Sequence, residues 1–106
     1  MYQVKIIENA LLAKLAAQKL KAGNAAIVIG TTIYLYGVSK ACFLNNPGWL
    51  RHELKHVEQY KQLGIVWFVT KYIYQCIRFG YFNAPLEVAA RRAETDESII
   101  KNYCII

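Results

Sequence analysis

Residues 50–60, LRHELKHVEQY, contain both histidines of this 106-residue chain, and the interpretation of the whole sequence depends on them. His52 and His56 are four positions apart, and Glu53 directly follows the first. In an α-helix, with about 100° per residue, this spacing places both imidazoles on one face. Chance would produce this arrangement with a probability on the order of one in a thousand, or about one in a hundred after allowance for the number of motifs considered.

The surrounding segment, residues 47–63, has the signals of one continuous helix. Asn46 can accept free backbone N–H groups at its start, Pro47 suits the first turn, and Gly64 marks its end. The apolar side chains gather on another side, about 140–200° from His52. They are Leu50, Leu54 and Val57. The helix is therefore expected to bury one side and to present its histidines on another.

The HExxH pattern is suited to zinc, because two imidazoles one helical turn apart can direct neutral ring nitrogens at a common point. Glu53 lies about 100° around the helix, too far to join them as a ligand but near enough to reach a metal-bound water. It is the candidate general base. The competing interpretation is that both histidines are ordinary surface or interior side chains.

A catalytic zinc site usually has three protein ligands, so one more is required. A cysteine is possible, but an acidic residue is favoured. Glu58 faces the solvated edge of the same helix, and the remaining candidates follow the last predicted helix start: Glu87, Glu94, Asp96 and Glu97. Glu87 is the preferred third ligand and Glu94 the next choice. Glu87 also suits the N-terminal end of a helix dipole and an ion pair with Arg91.

The rest of the chain predicts an α+β fold in one domain, residues 1–106. Helical spacing predicts an N-terminal helix over residues 7–22, and residues 25–37, AAIVIGTTIYLYG, predict a short β-hairpin. Three helices follow, over residues 47–63, over residues 65–79, and from Pro85 onward.

The segment 65–79 is the most apolar and raises the question of a membrane span. Lys71, Gln75 and Arg78 recur at i, i+4 and i+7, and the apolar run falls short of the ~20 residues that a span needs. A buried amphipathic helix is predicted, with no membrane span.

Composition limits the possible partners and the compartment. Thirteen Lys and Arg against seven Asp and Glu give a net charge of +6, but the basic residues are scattered, so no nucleic-acid partner is expected. Three widely spaced cysteines indicate neither a disulfide framework nor a thiolate zinc site. The N-terminal segment lacks a secretory signal pattern, and a cytoplasmic protein is expected.

The sequence HELKHVEQY, residues 52–60, followed by NAPLEVAARRAE, residues 83–94, resembles the small zincin-like metallopeptidase domains of the gluzincin type. The hairpin segment resembles the strands that precede the active-site helix in those domains. The resemblance covers residues 25–94 and implies a minimal zincin-like fold with bound Zn²⁺. It implies His52, His56 and Glu87 as ligands and Glu53 as base.

One departure from that family concerns the group that orients a ligating histidine. Many gluzincins carry an acidic residue shortly after the third ligand to orient a ligating histidine, whereas residues 88–92 here are VAARR. That role must fall to another group, either Glu94 or a backbone carbonyl.

A peptidase also needs a donor for the developing oxyanion, and Tyr60, Tyr81 or an arginine would have to serve. Trp49 and Tyr60 could line a cleft beside Glu53. Residues 34–36 could align an extended peptide if their strand is an exposed edge.

The sequence thus predicts a zinc-dependent metallopeptidase acting on a peptide or protein substrate. The small size favours either a narrow peptide range or an enzyme that needs an activating partner or a homo-oligomer. Two alternatives remain: an inactive zinc-binding interaction module, and a basic membrane-surface or nucleic-acid adaptor in which HELKH is a coincidence.

Overall fold

The strands of the protein form one mixed sheet in a computed structural model, which describes residues 2–106. The strands are β1 (Tyr2–Ile7), β2 (Ala25–Ile29), β3 (Thr32–Tyr36) and β4 (Tyr103–Ile105), in the order β2-β3-β1-β4. β2 and β3 form an antiparallel hairpin, whereas β1 runs parallel to both β3 and β4. Alternate side chains of the two central strands, β1 and β3, are buried in the core.

The helices are α1 (Leu11–Leu20), α2 (Lys40–Leu44), α3 (Pro47–Leu63), α4 (Ile65–Phe79) and α5 (Pro85–Ala93), followed by a 3-10 helix (Glu97–Asn102). The α+β class is therefore confirmed, as are the hairpin and the two long helices that were expected over residues 47–63 and 65–79. α1 contacts β2 and β3, and α3 contacts β2, α4 and α5. α3 is thus the central helix of the fold.

The prediction for the N-terminus was wrong in its boundaries. The chain begins with β1, and α1 starts at Leu11 rather than at Ile7. Ile7 has helical spacing with the leucines that follow, but Val4 and Ile6 are buried at alternate positions of the strand. Asn9, with φ +52°, separates strand from helix. The short elements β4 and α2 were also missed, since three to five residues carry too little periodicity to be recognised.

Gly37 directly follows β3 and packs closely against Gly23, in the segment between α1 and β2. Its φ is +75°, and a Cβ added to it would overlap the backbone oxygen of Gly23. Only glycine combines this backbone conformation with so close an approach. The turn after β3, which leads the chain toward α2 and α3, therefore requires glycine.

Replacing Gly37 by alanine should destabilise the protein by about 2–4 kcal/mol, because the substitution combines a positive φ with a backbone clash. Urea denaturation followed by circular dichroism measures this. Gly23→Ala is the matched control, since nothing lies within 4 Å of an added Cβ there, and its effect should stay within about 0.5 kcal/mol. Equal stabilities of the two variants would contradict the structure at this turn.

α3 is oriented by its start and by its buried side. The Trp49 backbone N–H donates to Asn46 Oδ1 (3.2 Å), and Pro47 occupies the first turn, as the sequence indicated. Leu54 and Val57 are fully buried in the core. With this side against the sheet, the histidines of α3 face α5 and α4.

α4 is less covered than the sequence predicted. Of its fifteen residues, Phe68 and Gln75 are buried, whereas most of its apolar side chains are exposed. Lys71 and Arg78 are exposed and Gln75 points inward, so the three do not form a common solvated stripe. Among residues 2–106, no helix has the length and hydropathy to cross a bilayer.

Candidate metal centre

α3 and the first turn of α5 bring His52, His56 and Glu87 together. His52 and His56 lie one turn apart, with ring centroids 5.2 Å from each other. Glu87 Oε1 is 3.0 Å from His52 Nε2, and its Oε2 is 3.0 Å from His56 Nε2. One ligand atom from each residue lies within 4.8 Å of the others. The three residues predicted as metal ligands are therefore neighbours, although they come from segments 35 residues apart.

The other nitrogen of each imidazole already has an acceptor. His52 Nδ1–H donates to Glu94 Oε2 (2.8 Å), and His56 Nδ1–H donates to Gln59 Oε1 (2.9 Å). Glu94, the second choice as third ligand, thus lies on the far side of the His52 ring. Its position is that of an outer carboxylate that orients a ligating imidazole.

Gln59 is itself held in one orientation. Its Nε2 donates to the backbone oxygen of Leu86 (3.0 Å), which leaves its Oε1 to face His56. This hydrogen bond joins the C-terminal part of α3 to the start of α5, next to Glu87. The same contact therefore fixes the His56 ring and the approach of the two helices.

α4 supplies two polar contacts to this centre that sequence reasoning missed. The Tyr72 hydroxyl donates to Glu87 Oε2 (2.6 Å), and Gln75 Oε1 accepts from the backbone N–H of Leu86 (2.9 Å). Gln75 was visible in the sequence as a polar residue in an apolar helix. Nothing in the spacing distinguished it from the exposed Lys71 and Arg78, and nothing singled out Tyr72 among eight tyrosines.

The carboxylate of Glu87 is ionised. Burial by itself would raise its pKa, since only 3% of the side chain is exposed. The hydrogen bonds donated by His52, His56 and Tyr72 outweigh burial and hold the pKa of Glu87 well below its usual range.

All four ring nitrogens of His52 and His56 face oxygen acceptors in the metal-free protein, an environment that favours the charged imidazolium with two N–H groups. Burial opposes the charge on His52, but the neighbouring carboxylates, Glu87 first among them, raise its pKa to about 9. Burial likewise opposes protonation of His56, and contact with Glu87 raises the pKa of that ring as well.

This donor set fits a divalent transition metal. Two Nε2 atoms and one carboxylate meet, and each Nδ1–H is already committed to an acceptor, which selects the tautomer that ligates through Nε2. Loss of one proton from each ring makes both Nε2 lone pairs available. When both rings start protonated, the two protons that leave carry the same total charge as the divalent metal ion that binds. The net charge around Glu87 is then unchanged.

Glu53 lies beside this cluster but outside it. Its side chain is 6% exposed, and burial raises its pKa to about 7 against the opposing charges of His56 and His52. It lines a cleft of about 620 Å³ together with His52 and His56. A buried carboxyl with this pKa, at the wall of a cleft, can exchange a proton near neutral pH.

The strand that could pair with an extended peptide is not the one considered from the sequence. β3, which carries residues 34–36, is paired on both sides and is not an edge. β2 is the edge strand of the described sheet next to the cleft, and all five of its residues line the cavity. An extended peptide could therefore pair with β2, not with β3.

The two tyrosines considered as oxyanion donors differ in their surroundings. The Tyr60 ring is stacked on Phe68, with centroids 3.8 Å apart, in the interior. Tyr81 is half exposed at the rim of the cleft near Glu53, and burial with nearby carboxylates raises its pKa to about 12. Tyr81 therefore keeps its hydroxyl proton and can donate it in a hydrogen bond.

Comparison with protein-family models, with curated proteins and with solved structures finds no match for this chain.

Proposed function

We propose that the protein is a zinc-dependent metallopeptidase of the gluzincin type, with His52, His56 and Glu87 as the metal ligands. The observation that carries the proposal is the arrangement of the two rings. Both Nε2 atoms lie 3.0 Å from one ionised carboxylate, and both Nδ1 atoms are held by other acceptors. A structural role for a buried His56 and a partly buried His52 does not require this orientation of both rings toward a single point.

The chain's own residues have distinct tasks in this proposal. When bound, Zn²⁺ acts as a Lewis acid that activates water and polarises a carbonyl. Glu53 accepts a proton from the attacking water as its oxygen adds to the carbonyl carbon of the scissile peptide bond. The C–N bond then breaks, and Glu53 passes that proton to the leaving amine nitrogen. Tyr81 donates a hydrogen bond to the developing oxyanion.

The cleft suits an extended peptide as the substrate. The edge of β2 offers unpaired backbone groups along one wall, so main-chain hydrogen bonds can align the peptide past Glu53. The opposite wall, formed by Val69, Ile73 and Tyr72 of α4, is mostly apolar. Apolar side chains on either side of the scissile bond are therefore expected to bind best.

The test of this function is metal analysis of the purified protein together with cleavage of a mixed peptide library followed by mass spectrometry. One zinc per chain is expected, with hydrolysis that a chelator stops and added Zn²⁺ restores. Zinc bound without any cleavage would favour a non-catalytic zinc-binding module. Absence of stoichiometric zinc would contradict the proposed function.

Zinc binding should release protons and weaken as the pH falls. His52, with a pKa of about 9, is protonated at pH 7, and contact with Glu87 also raises the pKa of His56. Each ring must lose its Nε2 proton to ligate. Below these pKa values the affinity should therefore drop by up to about 100-fold per pH unit, with about two protons released per zinc. Calorimetric titration in buffers of different ionisation enthalpy measures the proton count. A count of zero at pH 7 would contradict the charged state of His52.

A further inference from the structure

The outward side of α4 is an uncovered apolar surface. Val66 and Ile77 are 79% and 81% exposed, and Val69 and Ile73 lie between them on the same side of the helix. The spacing of three, four and four residues forms one continuous stripe. These four residues are called the α4 face below. Four large aliphatic side chains in a row on a surface helix mark a binding surface rather than scattered exposure.

Aromatic and basic side chains border the α4 face. Trp67 is 68% exposed and Tyr74 is 54% exposed, and both lie between the stripe and two exposed basic residues, Lys71 and Arg78. Phe82, three residues past the end of α4, is 67% exposed as well. An aliphatic stripe bordered by aromatic rings and then by basic residues is typical of helices that lie in the interfacial plane of a bilayer.

The charged side chains of α4 itself, Lys71 and Arg78, are both basic. No acidic residue occurs between Glu58 and Glu87, and none between Glu8 and Glu53, so α1 and α4 carry basic charge only, whereas β2 and β3 carry no charge. A symmetric contact with a second copy of the chain would bring Lys71 and Arg78 toward the same two residues of the partner. An anionic surface is complementary instead.

We propose that the α4 face docks in the headgroup region of an anionic lipid bilayer, with Lys71 and Arg78 contacting lipid phosphates. The helix lies along the surface, consistent with its fifteen residues being too few to cross a bilayer. Val69 and Ile73 also line the cleft, so docking brings the cleft mouth to the lipid surface. The inference does not depend on the metal site.

The test is co-sedimentation of the full chain with vesicles of phosphatidylcholine alone or of phosphatidylcholine and phosphatidylglycerol in equal parts. Binding is expected to the anionic vesicles and to weaken with added salt. Trp67 fluorescence should shift to the blue on binding, whereas Trp49 already packs against Phe43. Absence of binding to the anionic vesicles would overturn the inference.

The double variant Val66→Asp with Ile77→Asp should reduce vesicle partitioning by at least about tenfold, since it removes apolar area and adds repelling charge. Both positions are highly exposed, so circular dichroism should be unchanged. If the wild-type protein is a dimer that this variant dissociates, and neither binds vesicles, then the face is covered by a second copy and the lipid proposal fails.

Variants that remove basic side chains distinguish docking through the α4 face from a general attraction of the basic protein to anionic vesicles. Lys71→Gln with Arg78→Gln should weaken partitioning by about tenfold. The matched control, Lys40→Gln with Lys101→Gln, removes the same charge next to β4, at the opposite edge of the sheet from the cleft, and should change partitioning by less than about twofold. Equal losses in both would overturn docking through the α4 face. His56→Ala should bind vesicles as the wild type does, so failure of the metal proposal and failure of this one are distinguishable.

Discussion

His56→Ala and Glu87→Ala are each expected to abolish stoichiometric zinc binding. Each variant leaves two protein ligands where three are available, and the affinity should fall by roughly 1,000-fold or more. Glu87 also supplies the negative charge that both imidazoles face, so its loss removes the electrostatic attraction at the centre of the cluster. Metal analysis after extensive dialysis, and competition with a chromophoric chelator, measure the loss directly.

Glu94→Ala is the matched control for these variants. Glu94 contacts His52 at Nδ1, on the side of the ring away from Glu87. Its removal should loosen the ring without removing a ligand, so zinc should still bind with an affinity about 10- to 100-fold lower. Equal zinc content in wild type, His56→Ala and Glu87→Ala would show that these residues do not form the site.

Glu87→Gln separates ligand loss from a folding defect. Glu87 is buried and accepts hydrogen bonds from three side chains, so truncation to alanine leaves those donors unsatisfied. The amide has nearly the same shape and can still accept from Tyr72, but it carries no charge. We expect this variant to fold as judged by circular dichroism and to bind zinc far more weakly than the wild type. A folded Glu87→Gln protein with wild-type zinc affinity would contradict ligation by this carboxylate.

Glu53→Gln is expected to retain zinc and to lose hydrolysis by about 10²- to 10⁴-fold, the usual contribution of a general base. Glu53 is outside the cluster of ligand atoms, so the metal site should be intact. The substitution keeps the shape of a buried side chain and removes its ability to exchange a proton. Zinc content and cleavage rate are measured on the same preparation.

Glu58→Gln is the control on the same helix. Glu58 is partly exposed and pairs with Lys55 (3.1 Å) on the solvated edge of α3. An exposed ion pair of this kind contributes little to stability, so the cleavage rate should stay within about twofold of the wild type. If both variants cleave peptides equally well, Glu53 is not the base and another route for the proton must exist.

Local sequence patterns were sufficient to predict the secondary-structure elements nearest to the site. α3 starts at Asn46 and Pro47 and ends at Gly64, as the sequence predicted. The hairpin turns at Gly30, where φ is +63°. The apolar side of α3 is also as the spacing indicated. Caps, turn residues and helical periodicity act over a few residues, so they can be recognised without knowing the fold.

The elements that depend on distant pairing could not be recognised in the same way. β1 is parallel to β3 and β4, so its backbone groups are satisfied by segments far along the chain. Its alternation of Val4 and Ile6 is short and merges with the leucines of α1. β4 has three residues and exists because β1 offers it an edge.

For the candidate site, the sequence by itself determined that His52 and His56 share one helix face with Glu53 beside them, because helical geometry sets those angles. Glu87 was one of several acidic residues that could have completed the set. Only the packing of α5 on α3 and α4, held by Gln59 and Gln75 respectively, brought that carboxylate to both rings and left Glu94 behind one of them. Long-range packing also decided that α4 keeps an apolar side uncovered, since burial depends on which neighbours are present and not on the periodicity of the helix itself.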